Sequence, residues 1–255
     1  MALITKDLNT PALSAQQLAQ FIVGDTGTVV PGTAKFTRDN RPAGTGVTEI
    51  SEIVFIDTAV ADYQTLVAGV KPGITTVILD SKQDGIAQIS EYLADCQEVS
   101  ALHVISHGSP GSLQLGTVQL SLDTLNCYGS QLQKWAESLR AKAEILLYGC
   151  SVAAGDRGRA FVEQISHLTK AKIAASTTPS GSADLGGDWQ LQVTVGDIEI
   201  PLAIRPETLD NYAFTLASLT TGTGDGGVSV GVDAFGSFGY AVGGNGGASG
   251  ANYNP

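Results

Sequence analysis

Leu102-His103-Val104-Ile105-Ser106-His107-Gly108 is an apolar, β-branched run that ends in a histidine and a glycine. Ile145-Leu146-Leu147-Tyr148-Gly149-Cys150 is a second such run, ending in a glycine and a cysteine. Runs this short and this continuously apolar read as strands buried on both faces, the habit of parallel sheets. Working outward, the same texture recurs at Ile53 to Asp57, Thr76 to Asp80 and Lys172 to Ala175. Helix-length amphipathic segments lie between: Tyr63 to Val70, Asp84 to Cys96 with Asp84 as N-cap, Leu122 to Ala141, and Gly158 to Thr169 with Phe161, Val162, Ile165 and Leu168 inward. Strand and helix in alternation predict an α/β domain with a mostly parallel sheet. A hairpin, Ser112 to Leu115 and Val118 to Leu120 around Gly116-Thr117, interrupts the series after the third strand. Beyond a loop at 176–187 the period becomes two, with Trp189, Leu191, Val193 and Val195 on one face, a Gly196-Asp197 turn, then Ile198 and Ile200, which predicts a closing antiparallel hairpin. Pro206 to Phe214 reads as a short terminal helix.

Three regions follow: 1–48, 49–216 and 217–255. The first carries one helical signal, Ser14 to Val23, then a Gly- and Pro-punctuated run with Val29-Val30 and Lys35-Phe36-Thr37 as short strands. In the last, 12 of 39 residues are Gly, and Val228 to Val232 alternates as a strand would. This extension reads as the β-type start of a module belonging to a larger parent, since it stops abruptly at Tyr253-Asn254-Pro255. A net charge of −11 excludes a polybasic nucleic-acid binder. No run approaches the ~18 apolar residues of a membrane span, and no N-terminal signal peptide is visible. Three cysteines, Cys96, Cys127 and Cys150, leave at least one thiol unpaired within a monomer.

The chemistry concentrates at two strand ends. Open parallel sheets bind ligands outside the carboxyl ends of their strands, and strands adjacent in sequence often pair, about 4.8 Å apart. His107 and Cys150 would then face one crevice. Cysteine catalysis needs a thiolate, a base and oxyanion donors. Cys150 serves as the nucleophile, His107 as the base, and the backbone amides of Gly108 and Cys150 as the donors; the helix entered through Asp156 would add a favourable dipole. An activated dyad of this kind would hold the thiol well below the free value of about 8.5. The alternative is that Cys150 is one more buried small residue and His107 a satisfied strand-end histidine.

The two quoted runs, continued through Ser109-Pro110-Gly111-Ser112-Leu113-Gln114-Leu115-Gly116 and Ser151-Val152-Ala153-Ala154-Gly155, resemble a bacterial domain family of unknown function. That family sits near the N-terminus of large secreted or surface repeat proteins and adhesins. Ile53 to Asp57, Val77 to Asp80 and Gly186-Gly187-Asp188-Trp189 match it as well. It is in turn distantly similar to the caspase-like cysteine peptidases: caspases, legumain, gingipain, clostripain and the CHAT proteases. The resemblance implies a three-layer fold of caspase-like type, His107 and Cys150 as the dyad with Gly108 beside the oxyanion, no cofactor, and an extracellular or cell-surface location. The substrate would be a peptide or protein, including the parent chain itself. No residue matches a caspase-type Arg cluster; Asp156, Asp184 and Asp188 are acidic candidates for a basic P1 pocket, Asp188 equally a turn residue. The flanks, Ala12 to Gln20 and Val232 to Gly239, are similar to surface-anchor and adhesin modules. The competing expectation is a catalytically inactive peptidase-like fold used for adhesion, export or interaction.

Other signals carry less. His103 and His107, four apart, would be ~13 Å apart on a strand, so no metal is expected there, and His103 faces the core. Gly227-Val228-Ser229-Val230-Gly231 has the serine-hydrolase spacing with no histidine after it. Gly222 to Gly227 has dinucleotide-site spacing but opens a strand. His167 lies on a polar helix face, and Cys96 and Cys127 read as packing residues.

Overall fold

The computed structural model describes residues 52–217, together with three short strands at 29–31, 230–232 and 238–240. The helix expected at Ser14 to Val23 and the strand at Lys35 to Thr37 lie outside the described residues. Seven strands form the main sheet: β1 (Val29–Pro31), β2 (Glu52–Asp57), β3 (Thr75–Leu79), β4 (Val99–Ile105), and, after the hairpin, β8 (Leu139–Tyr148), β9 (Lys172–Ala175) and β10 (Val193–Val195). Six of them run in the order β3-β2-β4-β8-β9-β10, and β1 pairs in parallel on the outer edge of β3. All neighbours are parallel except β10 on β9. Between β4 and β8 lies a small antiparallel sheet of β5 (His107–Ser109), β6 (Ser112–Leu115) and β7 (Val118–Ser121). Strands β11 (Val230–Val232) and β12 (Phe238–Tyr240) pair antiparallel with each other.

The sheet is buried on both faces by alternation along single strands. Ile53, Phe55, Leu102, Val104, Ile145 and Leu147 belong to one apolar cluster, with residues of α2 (Gly85–Leu93), α3 (Leu125–Ser138) and α4 (Gly155–Thr169). Val54, Ile56, Ile105, Leu146 and Tyr148 belong to the other, with Leu66 of α1 (Tyr63–Gly69) and Leu209 of α5 (Pro206–Asn211). The period of two places successive side chains on opposite faces, so each apolar run supplies two cores and the domain has three layers. Asp84 caps α2 as expected, its carboxylate accepting from the Ala87 amide at 2.9 Å.

Two expectations need correction. The helix and strand expected at 122–141 and 145–149 meet earlier: α3 stops at Ser138, whose hydroxyl donates to the Leu93 carbonyl, and β8 begins at once with exposed Arg140 and Lys142. A strand overhanging its neighbours can carry charges that a buried strand cannot. The closing hairpin also differs, because β10 pairs with β9 and residues 198–200 form no ladder. Their amides go to a side chain instead: the carboxylate of Glu144 accepts from Glu199 N at 3.0 Å and Ile200 N at 2.9 Å, and from Lys172 Nζ at 3.1 Å.

Burial opposes ionisation of Glu144, but the Ile200 amide, the Lys172 ammonium and the Glu199 amide outweigh it and hold the carboxyl below the usual range. The stability this clamp supplies is therefore complete above the ordinary carboxylate value and is lost as pH falls through the lowered folded one. Glu144→Ala strands Lys172 and two amides, and costs about 3 kcal/mol. Urea unfolding at pH 7 checks the magnitude, and repetition at successively lower pH should show the difference from wild type shrinking.

Candidate active site

The chain runs from β2 to β3 on one side, then crosses to place β4 on the other, so the strand order reverses between β2 and β4. Crevices form outside the carboxyl ends at such a point. Ile56 is level with Ile105, and Ile105 with Tyr148. Three segments therefore leave the sheet at one height: Asp57-Thr58-Ala59, Ser106-His107-Gly108 and Gly149-Cys150. The Ser106 amide donates to the Tyr148 carbonyl at 3.1 Å, carrying the β4–β8 pairing past the strand ends.

His107 Nε2 lies 3.0 Å from the carbonyl oxygen of Ala59. A carbonyl only accepts, so Nε2 carries the proton and Nδ1 is the basic nitrogen. Nδ1 is shielded from solvent and has no hydrogen-bond partner among the described residues. An acceptor left alone in this way is costly unless it has work to do. Asp57, fully buried, stiffens the same turn: one oxygen accepts from Ala59 N at 2.8 Å, the other from Gly116 N at 2.6 Å. Burial raises its pKa, while those amides and nearby His107 pull it down. Gly116 is required where it stands, with φ +59° and the Gln83 carbonyl 1.9 Å from where a Cβ would sit.

The second turn is held against the first. A Cβ on Gly108 would fall 2.9 Å from Cys150 N and 2.7 Å from Val152 Cγ2, so the His-Gly and Gly-Cys turns pack backbone on backbone. Ser151 follows in the left-handed region at φ 56° and its amide donates to the Thr178 carbonyl, which sharpens the turn under Cys150. The Cys150 sulfur accepts from Ser180 N at 3.2 Å.

A third segment completes the site. After α5 the chain is extended, and Leu216 N donates to Ser180 O at 2.8 Å while Ser182 N donates to Phe214 O at 2.9 Å. Gly108 N donates to the Leu216 carbonyl at 3.1 Å. Burial pushes the Cys150 thiol up to about 11, while the backbone amides of Ser180 and Leu216 pull the other way without prevailing. That is the direction opposite to the lowered value an activated dyad would show, because burial in the apolar cluster shared with Leu216 outweighs the nearby dipoles. Alkylation of Cys150 by iodoacetamide should accordingly lag that of exposed Cys127 at pH 7 and climb without levelling to pH 10, read by peptide mass mapping.

Of the acidic candidates, Asp188 is bridged to Ser180, whose amide meets the Cys150 sulfur. Asp156 is exposed in the first turn of α4, and Asp184 is exposed in a single 3-10 turn, Ala183–Leu185. Asp188 is a turn residue, accepting from Gln190 N and Thr178 Oγ1 at 2.8 Å each. The neighbourhood of Cys150 is apolar: Leu216, Tyr212, Ile105 and Val60 share its buried cluster. His103 faces the core with Nδ1 3.0 Å from the Tyr148 hydroxyl, and Cys96 is buried with its thiol 3.4 Å from the Tyr92 carbonyl. Exposed His167 and the other residues form no group of three or more His, Cys, Asp or Glu able to hold a metal among the described residues. Nor is any described helix long and apolar enough to cross a membrane.

Residues 53–216 match the model of the family described as Domain of unknown function (DUF4347). The chain belongs to this family. No curated protein and no solved structure matches it. The DUF4347 span starts one residue into β2 and closes on Leu216, so it takes in every group of the crevice, including the extended segment over Cys150. Sequence reasoning missed three of these groups. Ala59 acts through its backbone and left no side-chain signal, Ser180 lies in a loop, and Leu216 reads as an ordinary apolar residue. His107, Gly108 and Cys150 were visible at their strand ends, and Asp57 only as the last residue of a strand.

Proposed function

We propose that the DUF4347 domain is a cysteine-peptidase-like module of caspase-like type, part of a secreted or surface bacterial protein and acting on a peptide or protein chain. Cys150 is the nucleophile, His107 Nδ1 the base and then the acid, and the Gly108 amide the oxyanion donor, with the Cys150 amide beside it. The observation that carries this reading is the state of His107: one nitrogen clamped by a carbonyl, the other a buried base without a partner, next to an amide already bonded to a peptide carbonyl beside a thiol. Support for the caspase-like type comes from the His-Gly and Cys at the ends of adjacent parallel strands, together with the sequence resemblance.

A neutral thiol suits this chemistry if His107 removes the proton as sulfur attacks, the general-base route rather than a standing ion pair. The same raised thiol pKa favours a second reading, an inactive fold retained for adhesion or interaction. A panel of tripeptidyl chloromethyl ketones differing in the last residue separates them. Displacement of chloride by the Cys150 sulfur, selective for one side chain and lost in Cys150→Ala, supports the peptidase; labelling of Cys127 alone supports the inactive fold.

A further inference from the structure

The extended segment after α5 is bonded like a substrate. Residues 214–216 lie antiparallel to Ser180-Gly181-Ser182, with Gly181 opposite Thr215, and both edge amides are satisfied across the pair. Strand addition of this kind is how a cleft grips a peptide by its main chain, leaving one side chain to set specificity. Here that side chain is Leu216, 0% exposed in the apolar cluster that holds Cys150, whereas Phe214 before it is 43% exposed and Ala217 after it is exposed. The Leu216 carbonyl accepts from Gly108 N at 3.1 Å, at the limit of the range for an oxyanion donor. The Leu216 amide, with that of Ser180, pulls the Cys150 thiol down against burial. One residue thus has its side chain in a closed apolar cluster, its carbonyl on the oxyanion amide and its backbone beside the nucleophile, and the next residue, Ala217, has an exposed side chain and is bridged to Gly108.

We infer that the Leu216–Ala217 peptide bond is the substrate of the site, and that the domain cuts itself from whatever follows it. The inference rests on the peptidase reading of His107 and Cys150. The Cys150 sulfur bonds to the Leu216 carbonyl carbon as its proton passes to His107 Nδ1, and the oxygen, now negative, is held by Gly108 N. The carbonyl re-forms, the carbon–nitrogen bond breaks, and His107 returns the proton to the Ala217 nitrogen. That leaves a Cys150–Leu216 thioester and a free amino terminus at Ala217. Water, deprotonated by His107, then hydrolyses the thioester to the Leu216 carboxylate and restores the thiol.

The position is functionally apt. It lies where the family match ends, so cleavage would release the Gly-rich 217–255 segment and leave the three-layer domain whole. It also accounts for a specificity pocket without charged residues, since the preferred residue before the cut is leucine.

The test is incubation of the full 255-residue chain at pH 7.5, read by intact mass and N-terminal sequencing. The expected result is a fragment beginning at Ala217, absent from Cys150→Ala and formed about 100-fold or more slowly in His107→Ala. Phe-Thr-Leu chloromethyl ketone, applied to the full chain carrying Leu216→Ala so that the probe competes with a weaker anchor, reports on the dyad separately. If wild type stays intact or is cut elsewhere while the probe captures Cys150, self-cleavage at Leu216 is overturned and the peptidase reading survives. If wild type stays intact and the probe captures nothing, both fall. Cleavage at Leu216 that persists in Cys150→Ala overturns the inference as well, by assigning the cut to another nucleophile.

Discussion

His107→Ala should slow acylation of Cys150 by a peptidyl substrate by about 100-fold to 10,000-fold while leaving the fold intact. His107 is the proposed base: Nε2–H is spent on the Ala59 carbonyl and Nδ1 has no partner among the described residues. Because the thiol is pushed up to about 11, very little of it ionises unaided near neutrality, and the loss on removing the base is correspondingly large. Removing a half-buried ring whose Nδ1 is unsatisfied also deletes a desolvation cost, so thermal unfolding should change little or move upward. Acylation kinetics at pH 7 and a melting curve check the two halves. A fall in rate accompanied by an equal collapse of the melt would reassign His107 to a structural role.

Gly108→Ala should cost about 100-fold to 1,000-fold in turnover through the oxyanion donor it displaces, with destabilisation of about 1–3 kcal/mol from overpacking. The added methyl would meet Val152 Cγ2 at 2.7 Å and Cys150 N at 2.9 Å, and neither can withdraw cheaply: one is fully buried, the other is main chain in the nucleophile turn. Moving the turn takes the Gly108 amide away from the carbonyl it now holds at 3.1 Å. Gly129→Ala, which meets nothing closer than 4.0 Å, is the control and should be neutral or slightly stabilising. Turnover of a peptidyl-leucine ester and urea denaturation of the two variants decide the point.

The sheet was legible because its code is local. Ile53 to Ile56 and Ile145 to Tyr148 are apolar without interruption, Leu102 to Ile105 is broken only by His103, and burial on both faces is the environment that suits this. The same two strand ends disclosed His107, Gly108 and Cys150, since glycine at a point of close backbone approach and a nucleophile at a strand terminus are side-chain facts. What the sequence hid was contributed by backbone or by distant chain. Ala59 offers a carbonyl, Ser180 an amide and Leu216 its whole peptide unit, and none of these depends on a distinctive residue type. The same reason explains the hairpin that did not form, where Glu144, distant in sequence, takes the amides that periodicity had given to a ladder. The raised thiol pKa was hidden for a related cause: it depends on what covers the group, and Leu216 of that cover lies beyond the helix read from sequence at Pro206 to Phe214.

The dyad stands or falls on whether Cys150 takes an acyl group. The full chain carrying Leu216→Ala should be mixed with a Phe-Thr-Leu 4-nitrophenyl ester at pH 7, quenched in acid within the first turnover and mapped by mass spectrometry. The account predicts a peptidyl thioester on Cys150 and on neither Cys96 nor Cys127, absent within the same interval when His107→Ala is added. No adduct on Cys150, or equal acylation with and without His107, would contradict it and leave the crevice a peptidase shape without peptidase chemistry.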